Sequence, residues 1–152
     1  KTAFLALQKL DTESAYEFAL EHLGSPLPGL RGLIIKFLPR IARQEVLEKA
    51  RTLYQNGNKE IKSSMLNLFS KINGWRIIAD LMLGTIDSNE EIRNLSKQYL
   101  DIWKIRATHL YIPPREEDLV RARQVLSQVA ETHARKMFFR ENPVAGMEFY
   151  FR

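Results

Sequence analysis

A segment of this chain recurs every 31 residues without a gap, and a recurrence of that length restricts the fold more than any single side chain does. The three copies are GLRGLIIKFLPRI from Gly29, EIKSSMLNLFSKI from Glu60 and EIRNLSKQYLDIW from Glu91. In register, Leu30, Ile61 and Ile92 form an apolar column, and Arg31, Lys62 and Arg93 form a basic column immediately after it. Three more apolar columns follow: Phe37/Leu68/Tyr99, Leu38/Phe69/Leu100 and Ile41/Ile72/Trp103. A unit this small cannot enclose its own apolar face and must stack on copies of itself, so the period predicts a solenoid.

Each period reads as two helices, because apolar residues recur at three- and four-residue steps and strand-like alternation is missing. The first helices are expected near Ser14–Leu23, Gln44–Tyr54 and Trp75–Gly84, and the second near Leu30–Arg43, Glu60–Asn73 and Glu90–Ile105. Ser14 with Glu17 and Ser88 with Glu91 have the form of capping boxes. Turns are expected at GSPLPG (24–29), QNGNK (55–59) and 86–89. Run backwards, the register carries Ile35, Leu38 and Ile41 onto Phe4, Leu7 and Leu10, so residues 1–10 read as the second helix of a preceding half-unit. The chain opens on Lys1 rather than Met, inside that helix, and a longer parent protein is expected. Run forwards, the register fails: Ile92 maps to Arg123 and Leu100 to Glu131.

The expected organisation is therefore a repeat array over residues 1–105 and a C-terminal segment, 106–152, belonging to the same domain. That segment starts with a loop near 106–114 ending in Pro113 and Pro114. Three acids, Glu116, Glu117 and Asp118, follow where the positive end of a helix dipole favours them. An apolar stripe at Leu119, Ala122, Leu126, Val129, His133 and Met137 then predicts a long capping helix from Glu116 to about Arg140, covering the last repeat. The end of the chain carries Phe149, Tyr150 and Phe151, which either close the core or dock a partner.

Paired helices with an apolar residue and then Arg or Lys at the start of the second one resemble HEAT repeats, over about residues 1–105. The family's turn aspartate, six residues before the basic position, is matched by Asp87, whereas Ser25 and Asn56 depart from it, and the family's proline in the first helix is absent. The resemblance implies an all-α, right-handed α-solenoid with second helices lining its concave face. It also implies a non-enzymatic scaffold for a protein partner.

Composition agrees with a domain of this size. A chain of 152 residues buries roughly two-thirds of its unfolded surface on folding. It contains no cysteine, which excludes a thiol framework and favours an intracellular, cytoplasmic setting. No run approaches 18 apolar residues, so no membrane span is expected. The net charge of +5 is spread, with 14 basic and 12 acidic residues up to position 103 and 9 and 6 beyond it. Such a balance permits contact with nucleic acid or acidic surfaces and also suits an ordinary solvated exterior.

Three groups of residues are candidates for function. The column Arg31/Lys62/Arg93 is either a phosphate-binding ladder or a set of side chains that tie the inter-helix turns. A second basic set, Lys36, Arg40, Arg43, Lys71, Lys97 and Lys104, falls on the predicted second helices and is the preferred partner-binding surface, together with Phe149, Tyr150 and Phe151. Nucleic acid bound along these cations is the alternative to a protein partner. Asp101 and Trp103 invite comparison with the HEAT-like alkylpurine DNA glycosylases, which use a carboxylate and aromatics in a basic groove. The register assigns Trp103 to the core, however, and base chemistry needs an assembled pocket. His22, His109 and His133 lack metal-ligand spacing, and no nucleophile or phosphate-loop motif occurs. No enzyme activity, cofactor or metal is expected, and a monomer is expected.

Overall fold

The computed structural model describes residues 2–41, 43–109 and 114–136. Every regular element among them is helical. The helices are α1 (Thr2–Leu10), α2 (Thr12–Glu21), α3 (Pro28–Phe37), α4 (Gln44–Asn56), α5 (Lys59–Lys71), α6 (Ile78–Gly84), α7 (Glu90–His109) and α8 (Glu116–Lys136). Single 3-10 turns occupy Leu38–Arg40 and Trp75–Ile77. The chain divides into two compact units, Lys1–Ile72 and Asn73–Arg152.

Local chemistry explains where the helices begin. Asp11, three residues before the expected cap Ser14, starts α2: its Oδ1 accepts from the backbone N–H groups of Glu13 and Ser14, and its Oδ2 accepts from the Ser14 hydroxyl. A carboxylate offers two acceptor atoms and a charge that the helix N-terminus favours. These same bonds hold the Asp11 carboxyl below its ordinary pKa, the Ser14 hydroxyl most strongly. At α7 the cap is Asn89 rather than Ser88; its Oδ1 accepts from Glu91 N at 2.9 Å and Ile92 N at 3.3 Å. Asn58 caps α5 through Ile61 N at 3.0 Å. α3 has no side-chain cap and starts instead on Pro28, whose ring presets the first helical φ.

The second helix expected to run to Arg43 stops at Phe37. Pro39 has no N–H to reach the carbonyl four residues back, and its ring crowds that carbonyl. The chain tightens into the 3-10 turn at Leu38–Arg40, and Arg43 is extended (φ −65°, ψ 158°) as the residue preceding α4. Arg43 is thus not a second-helix residue. In the other direction, α7 continues past the expected end at Ile105 to His109.

In the first unit α1 lies against α2, and α5 lies against both α3 and α4. Its core is built from Phe4, Ala15, Tyr16, Ala19, Leu23, Ile34, Leu38, Leu47, Ala50, Leu66 and Phe69, all at most 3% exposed. Each fully buried chain of leucine or phenylalanine size contributes roughly 1.5–3 kcal/mol. Phe4 meets Phe18 at a ring separation of 5.5 Å and Phe37 edge-on at 5.6 Å. Where α4 turns into α5 the approach is close. A Cβ on Gly57 would sit 2.5 Å from both the Leu53 carbonyl oxygen and Ile61 Cγ2, so only glycine fits.

In the second unit α6 contacts both α7 and α8, and the 75–77 turn also meets α8. Ile77, Ile78, Leu81, Met82, Ile92 and Leu100 form the core with Ala122, Val125, Leu126 and Val129 of α8. The expected α8 stripe is present at Ala122, Leu126 and Val129, and Val125 joins it; Leu119 is only half-buried. His133 and Met137 lie outside the residues whose side chains are described. Ser96, buried on α7, donates its hydroxyl to the Leu81 carbonyl at 2.6 Å. α8 is held by an ion pair as well: Arg121 Nη2 and Nη1 donate to the two carboxylate oxygens of Asp80 at 2.6 and 3.1 Å. The Asp80 side chain is 4% exposed and that of Arg121 33%.

Candidate binding surface

The two arginines of the basic column are spent on turns. Arg31 is buried; its Nη1 donates to the Ser25 carbonyl at 2.6 Å and its Nε to the Ser64 hydroxyl at 2.8 Å, joining α3 to α5. Arg93 donates from Nη1 to the carbonyls of Asp87 and Ser88, each at 2.9 Å. Both arginines thus reach back six residues, to the turn before their own helix. Lys62, between them in the register, places its Nζ 5.4 Å from the centre of the Tyr54 ring. Arg31 and Arg93, anchored in this way, tie turns rather than present themselves to phosphates.

The second basic set is not uniform. Lys36 on α3, Arg40 in the 3-10 turn and Lys71 on α5 are exposed, and none of them has an acidic partner among the described residues. The Lys71 ammonium donates to the neutral amide oxygen of Asn67 and so keeps its charge. Lys97 on α7 is half-buried, and Lys104 donates to Asp101 Oδ1 at 3.3 Å. Phe149, Tyr150 and Phe151 lie outside the described residues.

Arg43 belongs to a different cluster, which sequence spacing did not reveal. Its Nη1 and Nη2 donate to the two oxygens of Glu13, both at 2.6 Å, and its guanidinium lies 4.2 Å from the Tyr16 ring centre. The Tyr16 hydroxyl donates to Glu45 Oε2 at 2.6 Å. Arg43 holds the Glu13 carboxyl below its ordinary pKa. Burial, with the Glu45 hydrogen bond second, pushes the Tyr16 hydroxyl up to about 12. The partners are 29 and 30 residues apart, and only the packing of α2 beside the start of α4 joins them.

Beside that cluster a groove of about 520 Å³ runs between α2 and α4, lined by Glu17, Glu21, Glu45 and Glu48 with Leu20, Lys49 and Thr52. The first unit therefore has two electrostatic characters. α2 and α4 carry five glutamates against one lysine and one arginine. α3, the 38–40 turn and α5 carry six cations against the single Glu60.

The residues behind the glycosylase comparison are not assembled into a site. Trp103 is 9% exposed, donates from Nε1 to the Gly74 carbonyl at 3.1 Å and meets Trp75 edge-on at 5.1 Å. Gly74 has φ +100°, a left-handed conformation that favours glycine. Asp101 is exposed and paired with Lys104. His22 stacks near Phe18, ring centres 4.3 Å apart. Among the described residues, no group of three or more potential metal ligands comes together, and no helix is long and apolar enough to cross a membrane. Compared with protein-family models, curated proteins and solved structures, the chain finds no match.

Proposed function

We propose that this chain is a HEAT-like, right-handed α-solenoid segment that serves as a non-enzymatic scaffold, offering the exposed side of its second helices to a protein partner. The observation that carries the reading is the recurrence of burial at the 31-residue spacing. Leu38, Phe69 and Leu100, one column of the second helices, are all at most 1% exposed. The first helices obey the same spacing, although their sequences do not advertise it: Ala15/Val46/Ile77, Tyr16/Leu47/Ile78 and Ala19/Ala50/Leu81 are buried throughout. Matching burial at matching positions is what stacked copies of one two-helix unit require. The six-residue reach of Arg31 and of Arg93 to the preceding turn is a further shared device.

Support for binding rather than catalysis comes from the disposition of charge. Trp103 is buried and Asp101 is paired with Lys104, whereas Lys36, Arg40 and Lys71 are exposed on elements that contact one another. A photo-crosslinking residue placed at Lys36, with Lys49 on the first-helix side as control, tests the reading in extract of the source cells. Protein adducts concentrated at position 36 are expected. Equal adducts from both positions, or none at position 36, would remove the second-helix face as the working surface.

A further inference from the structure

The exposed side of α3 and α5 has features that neither helix needs for its own stability. Lys36 follows Gly32 at a four-residue step on α3, which keeps the two on one face, and Arg40 follows in the 38–40 turn. In the 31-residue register Gly32 matches Ser63, Lys36 matches Asn67 and Arg40 matches Lys71, and Ser63, Asn67 and Lys71 follow one another at four-residue steps on one face of α5. α3 and α5 contact each other and are tied by Arg31 and Ser64. Lys36, Arg40 and Lys71, with no acidic partner among the described residues, thus stand on elements that contact one another, while Arg43, Arg115 and Arg121 are each neutralised by carboxylates.

Gly32 adds an independent observation. A glycine inside a helix destabilises it relative to alanine, and it is retained where something must approach the backbone closely. Nothing among the described residues does so: a Cβ at Gly32 would meet no atom within 4 Å. With Ser63 as the matching residue on α5, the centre of the stripe is low, and the cations stand beyond it.

We propose that this face, with Gly32 and Ser63 as its floor and Lys36, Arg40 and Lys71 as its charges, is a docking surface for an extended, acidic segment of a partner protein. The inference rests on the scaffold reading and names the chemistry of the partner. Charge complementarity supplies the argument, because like-charged partners are rejected and carboxylates are drawn to cations that have no internal counter-ion. A protein segment fits better than nucleic acid. Single strands are gripped by exposed aromatic platforms as well as by cations, and Gly32, Ser63, Lys36, Asn67, Arg40 and Lys71 include no aromatic residue. Duplex binders neutralise more phosphates than three side chains can, roughly 6–10.

The test is a fluorescence-anisotropy titration of the whole 152-residue chain with labelled 20-residue poly-L-glutamate, in parallel with a 20-nucleotide single strand. Wild type is expected to bind poly-glutamate, with an affinity that falls as salt shortens the screening length to about 8 Å at physiological strength. The triple variant K36E/R40E/K71E is expected to bind about tenfold more weakly or worse, and K49E, on the first-helix side, to bind as wild type. Gly32→Leu, which leaves the charge unchanged and fills the floor, is expected to weaken binding several-fold. Should the triple variant fail to give a wild-type far-UV spectrum, the single variants K36E and K71E carry the same comparison. No binding of poly-glutamate by wild type, equal losses in K49E and the charge-reversed variants, or tighter binding of the single strand would overturn the proposal. If position 36 yields protein adducts while poly-glutamate binding is absent, the acidic partner falls and the scaffold stands; if no adducts form at position 36, the scaffold reading falls and takes the inference with it.

Discussion

Arg121→Ala should be among the most destabilising single changes on the surface of the second unit, although a third of that side chain is exposed to water. Asp80 is the reason. Its carboxylate, 4% exposed on α6, is met by two guanidinium N–H groups at 2.6 and 3.1 Å. Truncating Arg121 removes both of these bonds from a carboxylate that water barely reaches, and breaking a buried pair costs roughly 3–5 kcal/mol. Partial solvent access on the arginine side lowers the expectation to about 2–3 kcal/mol, since exposed charge is screened. Asp80→Leu/Arg121→Leu removes both charges and should recover most of the loss, because apolar replacement of such a pair is often neutral. Urea unfolding followed by tryptophan fluorescence suits the test: the chain has two tryptophans, Trp75 and Trp103, and both belong to the second unit. A midpoint for Arg121→Ala that corresponds to less than ~0.5 kcal/mol, or a double variant as unstable as the single one, would refute the reasoning, since a surface pair behaves in that way.

Two further outcomes test the register and the α2–α4 cluster. Leu38→Ala and Leu100→Ala, each at a position 0% exposed, should cost ~2–5 kcal/mol, whereas Lys36→Ala and Lys97→Ala should be nearly silent; similar small losses at all four positions in chemical unfolding would show that the register is wrong. Tyr16 predicts a pH dependence: its folded-state pKa is raised to about 12, so the neutral hydroxyl favours the folded state. That contribution is full below the unfolded value near 10 and is lost as pH rises through 12. Unfolding midpoints measured by far-UV circular dichroism between pH 9 and 12 should fall more steeply for wild type than for Tyr16→Phe.

Legibility from sequence varied with the range of the interaction. Helix class, number and approximate bounds follow from the spacing of apolar residues, a local property. Cap identities were misplaced because serine, asparagine and aspartate compete within a few residues, and only geometry shows that Asp11 and Asn89 win over Ser14 and Ser88. Pro39 carried a readable signal for the early end of α3, the missing donor and the ring clash, but the apolar column through Ile41 argued for a longer helix. The acidic groove carried a readable signal, since Glu17 and Glu21 on α2 and Glu45 and Glu48 on α4 recur at helical spacing. Nothing local announced the Arg121–Asp80 pair, 41 residues apart.

What the sequence determined by itself was the helical class and the assignment of Trp103 to the interior, because these follow from the spacing of apolar residues and the need of an apolar face for cover. Tertiary structure alone decided which charges are spent inside the protein. Arg31, Arg43 and Arg121 read in sequence like Lys36, Arg40 and Lys71, yet the first three are anchored by carbonyls and carboxylates and the last three have no acidic partner among the described residues. A guanidinium or ammonium is committed by groups that come within hydrogen-bonding distance, and those groups are brought there by chain segments remote in sequence.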